Sequence, residues 1–318
     1  MTPVLHRAAG LTIEADTYVP GFDPGGCSNP PDVRLHLDAV PRWHGSAHTV
    51  VHEAASANRR GRPLIRITRS TEGYCFSYAD DTRVWLDRSG ASVWCTWPTS
   101  TGLDSVATYL TGPVLVFLLR LRGVLTLHAS AVQIGGVGIG LAGPHGAGKS
   151  TTAAALAVRG CPVLTDDVLC AARRPGGWMV EPAGSLIRLW PEGASLALGA
   201  SVVLPLIARG WDKRALHLGD RGTRAAAGAV CLAGVVILTP GTASALQGPI
   251  TGAHAFVAIA ANVSGSHLID AAQRAAEFDA IADLSRSVRI VGAETGGSAR
   301  DFDGLVTAIE RWGESLGA

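Results

Sequence analysis

The stretch GPHGAGKSTTAAALAVRGCPVLTDD, Gly143 to Asp167, decides how this chain is read. Its first eight residues, Gly143-Pro144-His145-Gly146-Ala147-Gly148-Lys149-Ser150, fit the phosphate-loop pattern GxxxxGK[ST] without a mismatch. The glycines let successive backbone N–H groups turn inward on phosphate oxygens, and a helix starting near Ser150 adds its positive end. Lys149 has the reach for β- and γ-phosphates, the Ser150 hydroxyl suits Mg²⁺, and Thr151 completes the nucleotide-holding set.

The same stretch ends on Asp166 and Asp167, two carboxylates closing a short apolar strand. Such a pair is costly to bury unless a cation offsets it. Strand alternation sends the two side chains to opposite sides unless the chain turns, so different jobs are expected. One can hold Mg²⁺ while the other takes the proton of an attacking hydroxyl. A turn or helix-cap pair is the plainer alternative. One helix and its return turn separate Lys149 from Asp166, which predicts that the aspartate strand lies beside the phosphate-loop strand. Motor ATPases and switch GTPases place their second carboxylate much further along, and the NKxD guanine-reading motif is absent from this sequence. The compact spacing favours a kinase.

Working outward, LTLHASAVQI (125–134) and VGIGLAG (137–143) read as strands joined by Gly135-Gly136. AVCLAGVVILTP (229–240) and RIVGAE read as strands, and AGSLIRLWPE (183–192) mixes strand and turn signals. HLIDAAQRAAEFDAIADLSRS (267–287) and DFDGLVTAIERWGES (301–315) read as amphipathic helices. Strands alternating with helices predict an α/β domain over 103–318. Before it, residues 1–102 read as a smaller β-rich, antiparallel domain. Its strands are expected at 32–38, 63–70, 74–80 and 91–98, with turns at DPGG (23–26), NPP (29–31), TEG and DRSG.

Composition narrows the rest. Hydrophobic residues make up 47% of the 318 and charged residues 17%, which excludes a disordered chain. The net charge of +1 gives no reason to expect nucleic acid or an anionic membrane as partner. Six cysteines without a CxxC pair, and an opening MTPVLHRAAG without an apolar core segment, point to a reduced cytoplasmic setting with most cysteines packed as small core residues. The apolar run Val106–Leu125 is broken by Gly112-Pro113, Arg120 and Arg122, and reads as a buried helix rather than a membrane span.

His128, in LHAS upstream of the loop, is either a satisfied core residue or an imidazole that polarises an acceptor or steadies a base. Taken together, LHAS, a hairpin, GPHGAGKS, a helix ending in RG, and PVLTDD resemble the catalytic domain of HPr kinase/phosphorylase over about residues 124–170. The family's E[IV]RGLGI signature is replaced by GSLIRLWPE. The opening GLTIEADTYVPG (Gly10 to Gly21), LHASAV, the segment Arg188 to Pro191 and Lys213-Arg214 resemble the HPr-kinase-like proteins of peptide natural-product pathways, including lasso-peptide tailoring kinases. That resemblance implies a P-loop HPr-kinase-like fold and transfer of a phosphoryl group from ATP, or another nucleoside triphosphate, with Mg²⁺, to a serine hydroxyl of a precursor peptide. It implies Asp167 as base, His128 and Lys149 as catalytic partners, and Ser150, Asp166 and Glu192 as metal-side groups. Arg188, Lys213 and Arg214 either bind phosphate or an acceptor carboxylate, or form a solvated basic surface. Two other readings stay open: a kinase of small hydroxyl compounds such as an amino acid or nucleoside, and a nucleotide-binding switch without transfer. The β-rich domain is expected to recognise the acceptor or mediate assembly, a homo-oligomer included.

Overall fold

The computed structural model describes residues 3–25, 30–58, 61–208, 211–266 and 269–318. Cys27, the ends of the two expected turns at Gly26 and Asn29, and His267-Leu268 at the head of an expected helix lie outside them. The chain forms two compact units that divide between Arg122 and Gly123, with Ile269 grouped with the first.

In the first unit, β1 (Val4–Ala8), β2 (Leu11–Ala15), β3 (Asp23–Pro24), β4 (Val33–Leu37), β5 (Thr49–Glu53), β6 (Ile65–Arg69), β7 (Gly73–Tyr78), β8 (Arg83–Asp87) and β9 (Ser92–Thr96) build one sheet. Its order is β3-β1-β2-β4-β9-β8-β7-β6-β5. The four expected strands are β4, β6, β7 and β9. The expected DPGG turn begins instead as β3, paired with β1. The sheet is also not purely antiparallel, because β4 runs parallel to both β2 and β9. Parallel neighbours need a long return connection, and the β5–β8 meander supplies it between β4 and β9.

Next come α1 (Leu103–Tyr109) and α2 (Leu115–Leu121), joined across Leu110–Val114 by a kink where Gly112 leaves helical φ/ψ (−108°, −108°) and Pro113 follows. Leu103–Leu121 has the length and apolarity of a membrane-crossing helix, and most of it is buried. Phe117 packs 4.7 Å from Tyr74 and 5.3 Å from Phe76 between ring centroids, while Tyr109 stacks on Tyr78 at 3.8 Å. Arg122 donates to the carbonyls of Leu118, Gly90 and Asp32. These contacts move the border from the expected 102–103 to 122–123: the helices cover the first unit's sheet.

The second unit begins with β10 (Leu125–Leu127), β11 (Ala129–Ile134), β12 (Val137–Ala142), α3 (Lys149–Val158), β13 (Val163–Thr165), β14 (Leu169–Arg174) and β15 (Gly177–Val180). It continues with β16 (Leu186–Leu189), α4 (Pro191–Leu198), β17 (Arg214–Arg221), β18 (Val230–Pro240), β19 (Ala245–Pro249), α5 (Gly252–Ala260), α6 (Ala271–Ser287), β20 (Arg289–Thr295) and α7 (Ala299–Gly317). Gly135 and Gly136, at φ 58° and 86°, form the two-residue turn of the β11–β12 hairpin, a backbone state that favours glycine. β12, β18 and β20 run parallel.

One expectation fails here. The aspartate strand β13 pairs with β11 and not with the phosphate-loop strand β12. The hairpin folds β11 back onto that edge of β12 and pushes β13 one place outward.

Strand alternation splits the core into two layers. Leu141 and Val236 face Leu156 of α3 and Phe302, Leu305 and Ile309 of α7. Ala142, Val235 and Ile237 face Ile259 of α5 and Ile281 and Leu284 of α6. Helices on both sheet faces make this unit α/β. Both long helices open on capping boxes, Asp270 with Gln273 and Ser298 with Asp301. The mixed signals of 183–192 resolve into β16 followed by α4, which starts with Pro191 at its first helical position.

Candidate active site

Topology brings the chemistry-bearing residues together. β11 is antiparallel to both β12 and β13, with Ala129 opposite Ala142 and Ala131 opposite Thr165. The start of β11 therefore shares one sheet edge with the ends of β12 and β13. His128 precedes that start, Gly143 follows β12, and Asp166 follows β13. Open α/β sheets bind ligands at such strand ends.

The loop is shaped by backbone constraints. Gly143 has φ 146°, and a Cβ there would lie 2.2 Å from the Leu238 carbonyl oxygen, so no larger residue fits. Its N–H donates to Asn262 Oδ1 at 2.8 Å, and the Ala147 N–H donates to the Pro144 carbonyl at 3.2 Å. Gly143, Pro144 and Ala147 thus form the loop's frame. His145, Gly146, Gly148, Lys149, Ser150 and Thr151 line a cleft of about 280 Å³. The Lys149 ammonium donates to the Gly143 and Pro144 carbonyls at 2.8 and 3.0 Å. Burial pushes its pKa down, the charges of Asp167 and Asp166 oppose that, and Lys213 adds to the downward push.

The aspartates divide as alternation and a turn dictate. Asp166 is buried; Oδ1 accepts from Ser150 Oγ at 2.7 Å and Ser130 Oγ at 2.8 Å, and Oδ2 accepts from the Arg188 N–H at 2.8 Å. Burial and the neighbouring Asp167 charge raise its pKa, partly countered by the Arg188 N–H bond, the Arg188 charge and the Ser150 hydroxyl. Asp167 turns out of the strand with φ 79°, a left-handed conformation that aspartate tolerates better than most residues. Its side chain is 37% exposed and lines the cleft, with His128 Nδ1 3.2 Å from Oδ1 and 3.3 Å from the Asp167 carbonyl oxygen. His128 sits in the break between β10 and β11, half-exposed, so it is not a core histidine.

β16, α4 and the segment before β17 form the facing wall, with Arg188, Leu189, Trp190, Glu192, Gly193 and Lys213. The Lys213 ammonium lies 5.6 Å from the centre of the Trp190 ring, within cation–π range. Arg214 pairs with Leu189 across the β16–β17 ribbon and does not line the cleft. Among the described residues no cluster of three or more His, Cys, Asp or Glu could hold a metal by itself. Mg²⁺ is usually held by one or two carboxylates plus substrate phosphates and water, all hard oxygens. The bonded pair Ser150–Asp166 fits that donor set, and Glu192 lines the same cleft from the first turn of α4.

Three contributors were not singled out from sequence. Ser130 lies inside the quoted LHAS run, and a hydroxyl two positions past His128 was its available signal. Trp190 was visible only as part of RLWP. Asn262 left no signal at all, being 119 positions from the glycine it holds.

No protein-family model matches the chain. No curated protein matches it in sequence. Among solved structures it is similar to the Hpr(Ser) kinase/phosphatase from Coxiella burnetii, with 13% identity and a TM-score of 0.30, covering 60% of this chain and 93% of that one. A likeness that slight leaves the functional reading to the residues of the cleft.

Proposed function

We propose that the chain is a Mg²⁺-dependent kinase that moves the γ-phosphoryl group of ATP to a hydroxyl, the acceptor being a serine of a precursor peptide in a natural-product pathway. The observation that carries this reading is the pairing of a phosphate loop with a separate, half-exposed carboxylate in one cleft. Asp166 is locked onto Ser150, while Asp167 opens toward Lys149 and is paired with His128. A nucleotide sensor has no use for that second carboxylate. The peptide acceptor and the pathway rest on the resemblance of the sequence motifs, and the first unit is read as recognising the acceptor or mediating assembly.

The loop amides and Lys149 hold the triphosphate; two of the three ammonium protons go to loop carbonyls, leaving one for a phosphate oxygen. Ser150 and Asp166 would hold Mg²⁺, which when bound would neutralise charge on the phosphates. Asp167 accepts the proton of the acceptor hydroxyl as its oxygen bonds to the γ-phosphorus and the bond to the bridging oxygen of ADP breaks. His128 at 3.2 Å orients the Asp167 carboxylate. The proton then passes from the half-exposed Asp167 to solvent. Lys213 and Arg188 supply positive charge on the facing wall as charge develops on the transferred group.

The test is to incubate the protein with Mg·ATP, a serine-containing peptide encoded by a neighbouring gene, free amino acids and nucleosides, and to read masses. Phosphoserine on the peptide is the expected result. Phosphate on a free small molecule would overturn the peptide acceptor, and ATP binding without any transfer would overturn the kinase.

A further inference from the structure

Asn262 lies just past the end of α5 and is 8% exposed. Its Oδ1 accepts the Gly143 N–H at 2.8 Å, its Nδ2 donates to the Ala258 carbonyl at 2.8 Å, and its own carbonyl accepts the His128 N–H at 2.7 Å. The bond to Ala258 fixes which end of the amide faces the loop. The flanking residues are stitched to β10: Leu127 bridges Val263, the Ser264 N–H donates to the Thr126 carbonyl, and Thr126 Oγ1 donates to the Ser264 carbonyl at 3.0 Å. One residue therefore ties the first glycine of the phosphate loop to the strand break that presents His128. The tie extends to the lysine, because the Gly143 carbonyl accepts the Lys149 ammonium.

We propose that Asn262 is a positioning residue of the phosphoryl-transfer site, its side-chain amide setting the phosphate loop and Lys149 in register with the His128–Asp167 pair. This rests on the nucleotide reading above. A buried N–H stripped of its acceptor is costly, so without the amide the first peptide of the loop turns to find another partner, and the Lys149 perch moves with it. The rival is a purely structural role, in which the side chain only satisfies an end carbonyl of α5 through Ala258.

The two are separated by binding measurements on the full chain well below its unfolding temperature. The probes are Mg·ATP and inorganic tripolyphosphate, the variants Asn262→Ala and Ile259→Val. Ile259 is fully buried on the same helix and touches neither the loop nor His128 through a hydrogen bond, so its variant reports lost stability alone. Asn262→Ala is expected to weaken both probes about tenfold, the scale of one orphaned buried donor. Ile259→Val is expected to bind both within about twofold of wild type despite a lower melting temperature. Should Asn262→Ala fail to fold, Asn262→Ser, which keeps a hydroxyl at the site, carries the same expectation of weaker binding. Unchanged affinity in the Asn262 variants, or equal weakening in Ile259→Val, overturns the positioning role. A wild type that binds neither probe overturns the nucleotide reading first, and this inference with it.

Discussion

At the scale of single residues, the two adjacent aspartates do different work because one peptide turns. Asp166 continues inward from β13 and spends both oxygens on Ser150, Ser130 and the Arg188 N–H, while Asp167 leaves the strand in a left-handed conformation. Asp166→Asn replaces a buried carboxylate by a neutral amide, a poorer ligand for a hard cation. The expected outcome is a higher Mg²⁺ concentration for half-maximal transfer, by about tenfold, with the rate at saturating Mg²⁺ lowered much less. A Mg²⁺ titration of single-turnover transfer checks this: an unchanged Mg²⁺ requirement would remove Asp166 from the metal side, and a pure rate defect here with a metal defect in Asp167→Asn would exchange the two roles. His6 offers a second prediction at this scale. It is fully buried with Nδ1 unpartnered, and burial lowers its pKa below 6.5, slightly opposed by its bond to the Thr17 carbonyl. The folded form then binds fewer protons than the unfolded form, so stability is lost as pH falls below 6.5. Melting curves from about pH 7 to about pH 5 should fall for wild type and fall less for His6→Gln. Equal pH dependence in both would remove His6 as the cause.

At the scale of elements, the ribbon β16–β17 with α4 forms the wall opposite the phosphate loop and sets a cation there. Lys213→Met should weaken Mg·ATP binding about five- to tenfold and flatten its salt dependence, since one partly desolvated charge–phosphate contact is lost. Trp190→Leu removes only the ring under the ammonium, so about two- to fivefold is expected. Calorimetry on both variants decides this, and wild-type affinity in Lys213→Met would return Lys213 to a solvated surface role. Elements also show what sequence could reveal. The loop–helix–aspartate run was legible because its glycines, lysine and carboxylates have few alternative uses. Alternation exposed β4, β6, β7 and β9, and apolar periodicity exposed α6 and α7. The pairing partner of β13 was not legible, because whether a hairpin strand intervenes is settled by sheet order and not by local pattern. The parallel pairing of β4 and the grip of Asn262 on Gly143 depend on long-range closure in the same way.

At the scale of the whole molecule, the apolar helices α1 and α2 show the same limit: their pattern says that they are buried, and only the rings of Tyr74, Phe76 and Tyr78 say against what. The division at Arg122–Gly123 places the cleft entirely in the second unit. A fragment from Gly123 to Ala318, if soluble, should bind Mg·ATP within a few-fold of the full chain and lose transfer to a peptide. Full peptide transfer by that fragment would remove the first unit from acceptor recognition. Whether Asp167 is the base of a phosphoryl transfer is decided by measuring binding and single-turnover transfer together in Asp167→Asn. The expected result is Mg·ATP affinity equal to or slightly above that of wild type, with transfer lowered by about 10²–10⁴-fold, the usual contribution of a positioned general base. Transfer at the wild-type rate, with ATP still bound, would contradict it.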